Sequence, residues 1–390
     1  MDMHETFGAF TKDGMNVPST GSGQLNELMF AAKDIFAVKG HVNSAGNPLW
    51  ATTHQAAKAH APVIRKLLEQ GALLRGMTVT DELMYSLKGD NIHYPPTMNP
   101  RVPDAFSGGS SSGSAVAVSS GAVDFALGTD TGGSVRIPSA YCGLFGMRPS
   151  HNLVTLEGVV PLAPSFDTVG WMARDADVLE RVGKCLLPES DSTASFQRFY
   201  LLSEAWDQID SELTQEALRA FIKEHFSSGQ LETASLPKAT PAELAETFRI
   251  LQGYEAWQSH GEWIERYHPH FAKDVGGRFI AASKMKKDAA YHHASQLKQQ
   301  FTEKIRAFLG TDGVLIIPTT YGPAPKRDAS FEESEKVRAR TMKLTCIAGV
   351  SGLPQVTIPL NDHGRPIGLS FVSGYATDRK LLEFVKRLVD

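Results

Sequence analysis

The sequence GTDTGGSVRIP, residues 128–138, is the most informative stretch of this chain. The apolar run before it, within residues 123–130, predicts a buried strand. Two glycines and a serine follow, and then Pro138, which suits the first turn of a helix. A strand that turns into a helix through glycines leaves several backbone N–H groups unpaired and directed at one point. Such a point binds an oxyanion.

A second Gly/Ser segment, GGSSSGSA at 108–115, runs into the small apolar residues AVAV. It predicts a loop that becomes a helix, because a flexible linker at this place would interrupt the core. The segment also contains the G-x-S-x-G pattern of α/β-hydrolase nucleophiles, with Ser111 at its centre. That motif needs an apolar strand before it, whereas Pro100 and Pro103 precede it here. An esterase that uses Ser111 is therefore an alternative with weaker support.

Apolar runs and helical periods alternate over the rest of the chain. Residues 25–38 predict one or two buried strands around Lys33, and 53–70 predict a helix. Strands are also predicted at 313–319, 354–360 and 366–373, before a last helix at 381–388. This alternation predicts an α/β fold. We expect a single domain over 1–390, with a divergent and mostly helical region at about 174–310.

Composition and missing motifs exclude several classes of protein. The net charge of −4 argues against a nucleic-acid partner and against an anionic membrane surface. Three distant cysteines form no disulfide or zinc pattern, and no phosphate, dinucleotide or H-E-x-x-H motif occurs. We expect no metal and no cofactor. Without a leader-like start or an apolar span of membrane length, a cytoplasmic location is expected.

Taken together, these motifs resemble the amidase-signature hydrolases. The resemblance rests on residues 108–115 and 128–150, on AAKDIFAVKG at 31–40, and on the carboxy-terminal strand segments. Within that family the chain is most similar to plant-type indole-3-acetamide amidases. The resemblance implies an amidase-signature fold, in which helices flank both faces of a central, mixed and twisted sheet.

The resemblance also implies a catalytic unit. Ser134 would be the nucleophile, Ser110 a bridging serine after a cis peptide bond from Gly109, and Lys33 the terminal base. The backbone N–H groups of Thr131, Gly132, Gly133 and Ser134 would bind the oxyanion. Lysine acts as a base only when it is neutral, so its pKa of about 10.4 must be lowered, and the apolar residues around Lys33 make burial plausible.

Other residues receive supporting roles. Ser111 is expected to hydrogen-bond the lysine, and Asp130 and Arg136 to pair and hold the loop. Cys142 is interpreted as a packing residue. Helical spacing favours core packing over a substrate pocket for an aromatic set in the divergent region, namely Trp206, Tyr254, Trp257, Trp263 and Tyr267.

The function that these residues imply is hydrolysis of a small carboxamide, of aryl or indole type, through an acyl-enzyme. The partner would be this small amide, with no nucleic acid and no membrane, and a homodimer is open. Alternatives are the esterase, an amidotransferase subunit that supplies ammonia to a partner, and a catalytically silent binding protein. Which amide is cleaved, and whether the helical region acts as a lid, stay open.

Overall fold

One mixed sheet of ten strands organises this protein in a computed structural model, which describes residues 6–11, 15–189 and 195–390. The strands are β1 (Met29–Lys33), β2 (Leu73–Thr78), β3 (Phe125–Thr129), β4 (Phe145–Arg148), β5 (Val169–Ala173), β6 (Arg198–Leu202), β7 (Leu231–Ala234), β8 (Gly313–Pro318), β9 (Gln355–Asp362) and β10 (Arg365–Ser373). Their order is β2-β1-β3-β5-β4-β9-β10-β8-β6-β7. Strands β2, β1 and β3 are parallel, as are β8, β6 and β7, and the strands between them pair antiparallel.

Helices pack against this sheet. In the described part of the chain they are α1 (Pro48–Thr53), α2 (Pro62–Glu69), α3 (Ser112–Ser119), α4 (Arg136–Cys142), α5 (Ala176–Leu186), α6 (Ser203–Trp206), α7 (Glu212–His225), α8 (Pro241–Tyr267), α9 (Lys273–Ala282), α10 (Ala289–Leu309), α11 (Phe331–Ser351) and α12 (Asp378–Val389). Short 3₁₀ turns lie at Glu82–Met84 and Ser228–Gln230.

Both faces of the sheet are buried. In β1, Phe30 belongs to one apolar cluster and its neighbour Ala31 to another, and in β8 the same alternation separates Val314 from Leu315. Because successive side chains of a strand point to opposite faces, an apolar cluster covers each face. The expected α/β architecture with a mixed sheet is confirmed.

The helical region holds more than helices. Strands β6 and β7 lie within it and form one edge of the sheet, which the helical period of the surrounding sequence concealed. The helix expected over 53–70 forms only from Pro62 to Glu69, because Pro62 occupies its first turn, and a separate helix, Pro48–Thr53, ends where the expected one begins. Strands β4 and β5 and the long helix α11 were not anticipated.

The site lies at the carboxyl ends of three neighbouring strands. β1 lies between β2 and β3, and all three run in the same direction. Their last residues are Lys33, Thr78 and Thr129. The carboxyl ends of neighbouring parallel strands therefore meet beside the glycine turn that leads into α4.

Candidate active site

Lys33 is the fully buried last residue of β1. Its Nζ donates hydrogen bonds to Ser110 Oγ at 2.8 Å and to Thr129 Oγ1 at 3.0 Å. Burial lowers the pKa of the ammonium from 10.5 to about 7, although nearby carboxylates oppose this shift. A substantial fraction of Lys33 is therefore neutral at pH 7.

Ser110 lies in the loop before α3, and the peptide bond from Gly109 to Ser110 is cis, as expected. Its side chain is fully buried. The Asp81 N–H donates to the Ser110 carbonyl at 3.1 Å, which ties this loop to the residues after β2. The Ser110 hydroxyl therefore sits at a defined place beside Lys33 Nζ.

Ser134 lies between β3 and α4 and is 3% exposed. Its carbonyl accepts a hydrogen bond from the Ser111 N–H at 3.3 Å, so the glycine turn and the loop that carries Ser110 are in contact. The structure thus brings together the segments of all three predicted catalytic residues, Lys33, Ser110 and Ser134.

Four N–H groups were expected to bind the oxyanion, and in the structure they differ in whether they already donate a hydrogen bond. The Gly133 N–H donates to Asp130 Oδ1 at 2.9 Å, so it holds the turn. The N–H groups of Thr131, Gly132 and Ser134 donate no hydrogen bond to the described part of the chain. These three are the donors that a bound oxyanion could use.

Asp130 is the centre of a buried charge network. Its carboxylate pairs with Arg136, as expected, at 2.7 Å, and also with Arg148 at 2.9 Å. It further accepts from the backbone N–H groups of Gly133 and Val135. The two arginines hold the pKa of Asp130 far below its ordinary value, although burial acts in the opposite direction. The turn that carries Ser134 is therefore held by a permanently charged carboxylate.

The prediction of a hydrogen bond between Ser111 and Lys33 was wrong. Ser111 Oγ donates to the Thr129 carbonyl at 3.2 Å and accepts from the Thr129 N–H at 3.3 Å, whereas Lys33 contacts the Thr129 hydroxyl. Ser111 thus fixes the end of β3, and Thr129 supplies the oxygen that Ser111 was expected to supply. The parallel register of β1 and β3 decides this, and the sequence alone does not display it.

A cavity adjoins Ser134, and its walls include Gly132, Tyr85 and Phe248. A larger neighbouring cavity shares Arg338 with it and is lined in part by Phe106 and Tyr141. None of the five aromatic residues singled out in the divergent region lines either cavity. Of these five, Trp206 is buried and donates to the Ile316 carbonyl, and Trp263 donates to Thr53, so the interpretation as packing residues holds for both.

Other candidate groups lie outside this arrangement. Cys142 is fully buried in α4, and burial raises the pKa of its thiol, which fits a packing role. Within the described residues, no three His, Cys, Asp or Glu side chains are grouped as a metal site. No described helix is both long and apolar enough to cross a membrane.

Comparison with known proteins identifies relatives of this arrangement. A family model described as Amidase matches residues 11–220 and 242–382. Amidase 1 of Arabidopsis thaliana is 39% identical over 100% of this chain and 99% of its own length. A crystal structure of an amidase superposes with a TM-score of 0.81 at 28% identity, covering 95% of this chain and 85% of the other.

Relatives with other printed names also match. The chloroplastic outer envelope protein 64 of Arabidopsis thaliana is 34% identical over 99% of this chain and 71% of that protein. Glutamyl-tRNA(Gln) amidotransferase A subunits are 27% identical in Methanothermobacter thermautotrophicus, over 94% of this chain and 85% of that one, and 43% identical in Treponema pallidum, over 96% and 83%.

Proposed function

This chain belongs to the amidase family, and we propose that it hydrolyses a small aryl or indole-type carboxamide to a carboxylate and ammonia. The observation that carries the proposal is the 2.8 Å contact between Lys33 Nζ and Ser110 Oγ in a fully buried site next to Ser134. A buried lysine whose pKa is about 7 supplies the neutral amine that a serine nucleophile needs.

In the proposed mechanism, Ser134 Oγ attacks the amide carbon while its proton passes to Ser110, and the Ser110 proton passes to Lys33. The carbonyl oxygen gains negative charge and accepts from free N–H groups of the glycine turn. The C–N bond then breaks, and the proton returns through Ser110 to the departing amine. Water hydrolyses the acyl-enzyme on Ser134 by the same relay run again.

The walls of the two cavities support an aryl substrate. Tyr85 and Phe248 lie beside Ser134, and Phe106 and Tyr141 line the larger space. Aromatic rings contribute apolar area and ring-to-ring contacts, which suit a flat aryl or indole group next to the scissile carbonyl. This shape is the basis for preferring aryl amides over short polar ones.

Ammonia release from a panel of amides tests the proposal. Ser134→Ala and Lys33→Ala should each lower kcat/KM by at least about a thousandfold, because each removes a group that the proposed relay requires. Lys39→Ala is the matched control, since Lys39 is exposed on the same segment and should keep full activity. A single fluorophosphonate adduct on Ser134, lost in Lys33→Ala, is also expected. Unchanged ammonia release by folded Ser134→Ala would refute the mechanism.

An amidotransferase subunit is the second candidate, because subunits of that name are among the relatives. That function predicts a preference for glutamine and a stable hetero-complex. The net charge of −4 argues against contact with tRNA. Faster ammonia release from glutamine than from any aryl amide would favour this second function.

The esterase alternative has less support from the geometry, because both hydrogen bonds of the buried Ser111 hydroxyl go to the Thr129 backbone. For location and partners, we propose a cytoplasmic enzyme that acts on the small amide without a nucleic-acid or membrane partner, with a homodimer left open. The resemblance to an outer envelope protein makes location worth testing by cell fractionation. Recovery of the protein with chloroplast or other envelopes would contradict the proposed location.

A further inference from the structure

Three carboxylates surround Lys33 and oppose the effect of burial on its ammonium, namely Asp81, Asp130 and Asp167. They belong to different segments, after β2, after β3 and before β5. Because all three favour the charged lysine, the neutral base depends on how strongly each acts. The three carboxylates differ in the hydrogen bonds and ion pairs that they make with groups other than Lys33.

Two of the three carboxylates are already satisfied. Asp130 pairs with two fully buried arginines. Asp167 accepts from Thr131 Oγ1 at 2.6 Å and from the N–H groups of Leu162 and Ala163 at 2.9 and 3.0 Å. The negative charge of each is therefore compensated by groups other than Lys33.

Asp81 differs from both. Its carboxylate is fully buried, Oδ2 accepts from the Gly89 N–H at 3.1 Å, and Oδ1 has no hydrogen-bond partner in the described structure. A buried carboxylate oxygen without a partner is costly, so such an arrangement points to an electrostatic role. Of the charges near Lys33, Asp81 contributes the largest favourable interaction with the ammonium.

Asp81 also contacts the loop that presents Ser110. A Cβ atom at Gly109 would lie 2.2 Å from Asp81 Oδ2, so the carboxylate packs directly on this glycine. The backbone N–H of Asp81 donates to the Ser110 carbonyl. One residue thus touches the bridging-serine loop through both its backbone and its side chain.

We propose that Asp81 is a positioning residue of the proton relay, whose buried carboxylate is the charge partner of the Lys33 ammonium and holds the Gly109–Ser110 loop against it. This inference rests on the proposed function, because it assigns Lys33 the role of proton acceptor. During acylation Lys33 becomes positively charged, and Asp81 stabilises that charge in a fully buried site. Asp81 therefore sets how strongly Lys33 holds the transferred proton.

The charges that face the pair act in known directions. Burial raises the pKa of Asp81 to about 6, whereas the Gly89 N–H, Lys33 and the Ser86 hydroxyl lower it and Asp90 raises it. Lys33 faces Asp81, Asp130 and Asp167, and its pKa is about 7. Because the charges of Asp81 and Lys33 interact, their titrations are coupled, and the acid limb of the kcat/KM profile reflects both groups.

The test is the pH dependence of kcat/KM for Asp81→Asn in the full chain, followed by ammonia release between pH 5 and 9. Loss of the anion destabilises the Lys33 ammonium, so the acid limb should move to lower pH by roughly half a unit to one unit. The plateau should fall several-fold, because Lys33 becomes a weaker base. Asp104→Asn, an isosteric change at an exposed carboxylate that acts on neither Asp81 nor Lys33, should leave the limb in place.

A folded Asp81→Asn protein whose acid limb coincides with the wild-type limb would overturn the proposal, even if its stability or plateau had changed. Absence of amidase activity in the wild-type protein would instead refute the proposed function. If Asp81→Asn does not fold, the wild-type protein labelled with [ε-¹³C]lysine decides. The Lys33 signal, identified by its loss in Lys33→Met, should show a second, smaller inflection at a pH below its own titration, where the buried Asp81 takes up a proton. One inflection alone would overturn the proposal.

Discussion

The signature region, residues 108–150, and the helical region, residues 174–310, treat polar groups in opposite ways. In the signature region, Asp130, Arg136 and Arg148 are all fully buried, and both arginines pair with Asp130. In the helical region Glu246 pairs with Arg249 on one helix, with both side chains more than half exposed. The first arrangement fixes the backbone of the glycine turn, whereas the second lies on a solvated helix face.

One glycine from each region shows a similar difference. A Cβ at Gly132, in the signature region, would lie 2.8 Å from the ring of Phe248 on α8, whereas nothing lies within 4 Å of a Cβ at Gly277 on α9. Gly132 therefore has no room for a side chain beside the cavity, whereas Gly277 has. This contrast can be tested by paired substitutions.

The largest expected effect is on stability. Asp130→Asn removes the charge that two fully buried arginines share, and breaking a buried pair in this way should lower the free energy of unfolding by about 3 to 5 kcal/mol. Glu246→Gln, in the helical region, should lower it by less than about 1 kcal/mol. Urea unfolding followed by circular dichroism measures both. Equal losses in the two variants would remove the proposed difference between the regions.

The next effect is the pH dependence of stability. The pKa of Lys33 falls from 10.5 in the unfolded chain to about 7 in the folded one, so the unfolded state binds more protons between these values. The free energy of unfolding should therefore rise with pH across the window from about 7 to 10.5, by a few kcal/mol, and Lys33→Met should abolish this rise.

The helical region contains a partly buried lysine, Lys298, whose pKa is lowered less than that of Lys33. Lys298 donates to the Ser165 carbonyl and hydroxyl, and partial burial lowers its pKa from 10.5 to about 8. Lys298→Met should remove a smaller part of the rise, confined to the narrower window above about pH 8. Urea unfolding at pH 7 and pH 10 measures the slopes. A Lys33→Met slope parallel to that of the wild type would contradict the buried neutral lysine.

The smallest expected effect comes from the two glycines. In Gly132→Ala the new methyl group must displace the Phe248 ring in the cavity beside Ser134, so kcat/KM should fall between about tenfold and a hundredfold. In Gly277→Ala activity should be unchanged, and the helix should gain about 0.5 to 1 kcal/mol. Steady-state kinetics and thermal unfolding test the pair. Full activity in Gly132→Ala would show that the turn is less constrained than its packing indicates.

Much of this structure follows from local sequence. The apolar run before Gly128 predicts β3, and the run of glycine, serine and small apolar residues at 107–121 predicts a loop and then α3. These predictions succeed because strand burial and helix starts depend on neighbours within a few residues. Strands β6 and β7 escaped prediction, since strands of five and four residues carry little periodic signal.

The sequence by itself determined the amidase-family membership, the α/β fold, and the positions of Lys33, Ser110, Ser134 and the Asp130–Arg136 pair, because these lie in contiguous motifs. Only the tertiary structure decided that Thr129 rather than Ser111 contacts Lys33, that Arg148 joins Asp130, and that Asp81 packs on Gly109. Asp81 is 28 residues from Gly109 in the chain, and Thr129 is 96 residues from Lys33. Strand register and loop packing set such contacts, and neither is written in the residues next to them.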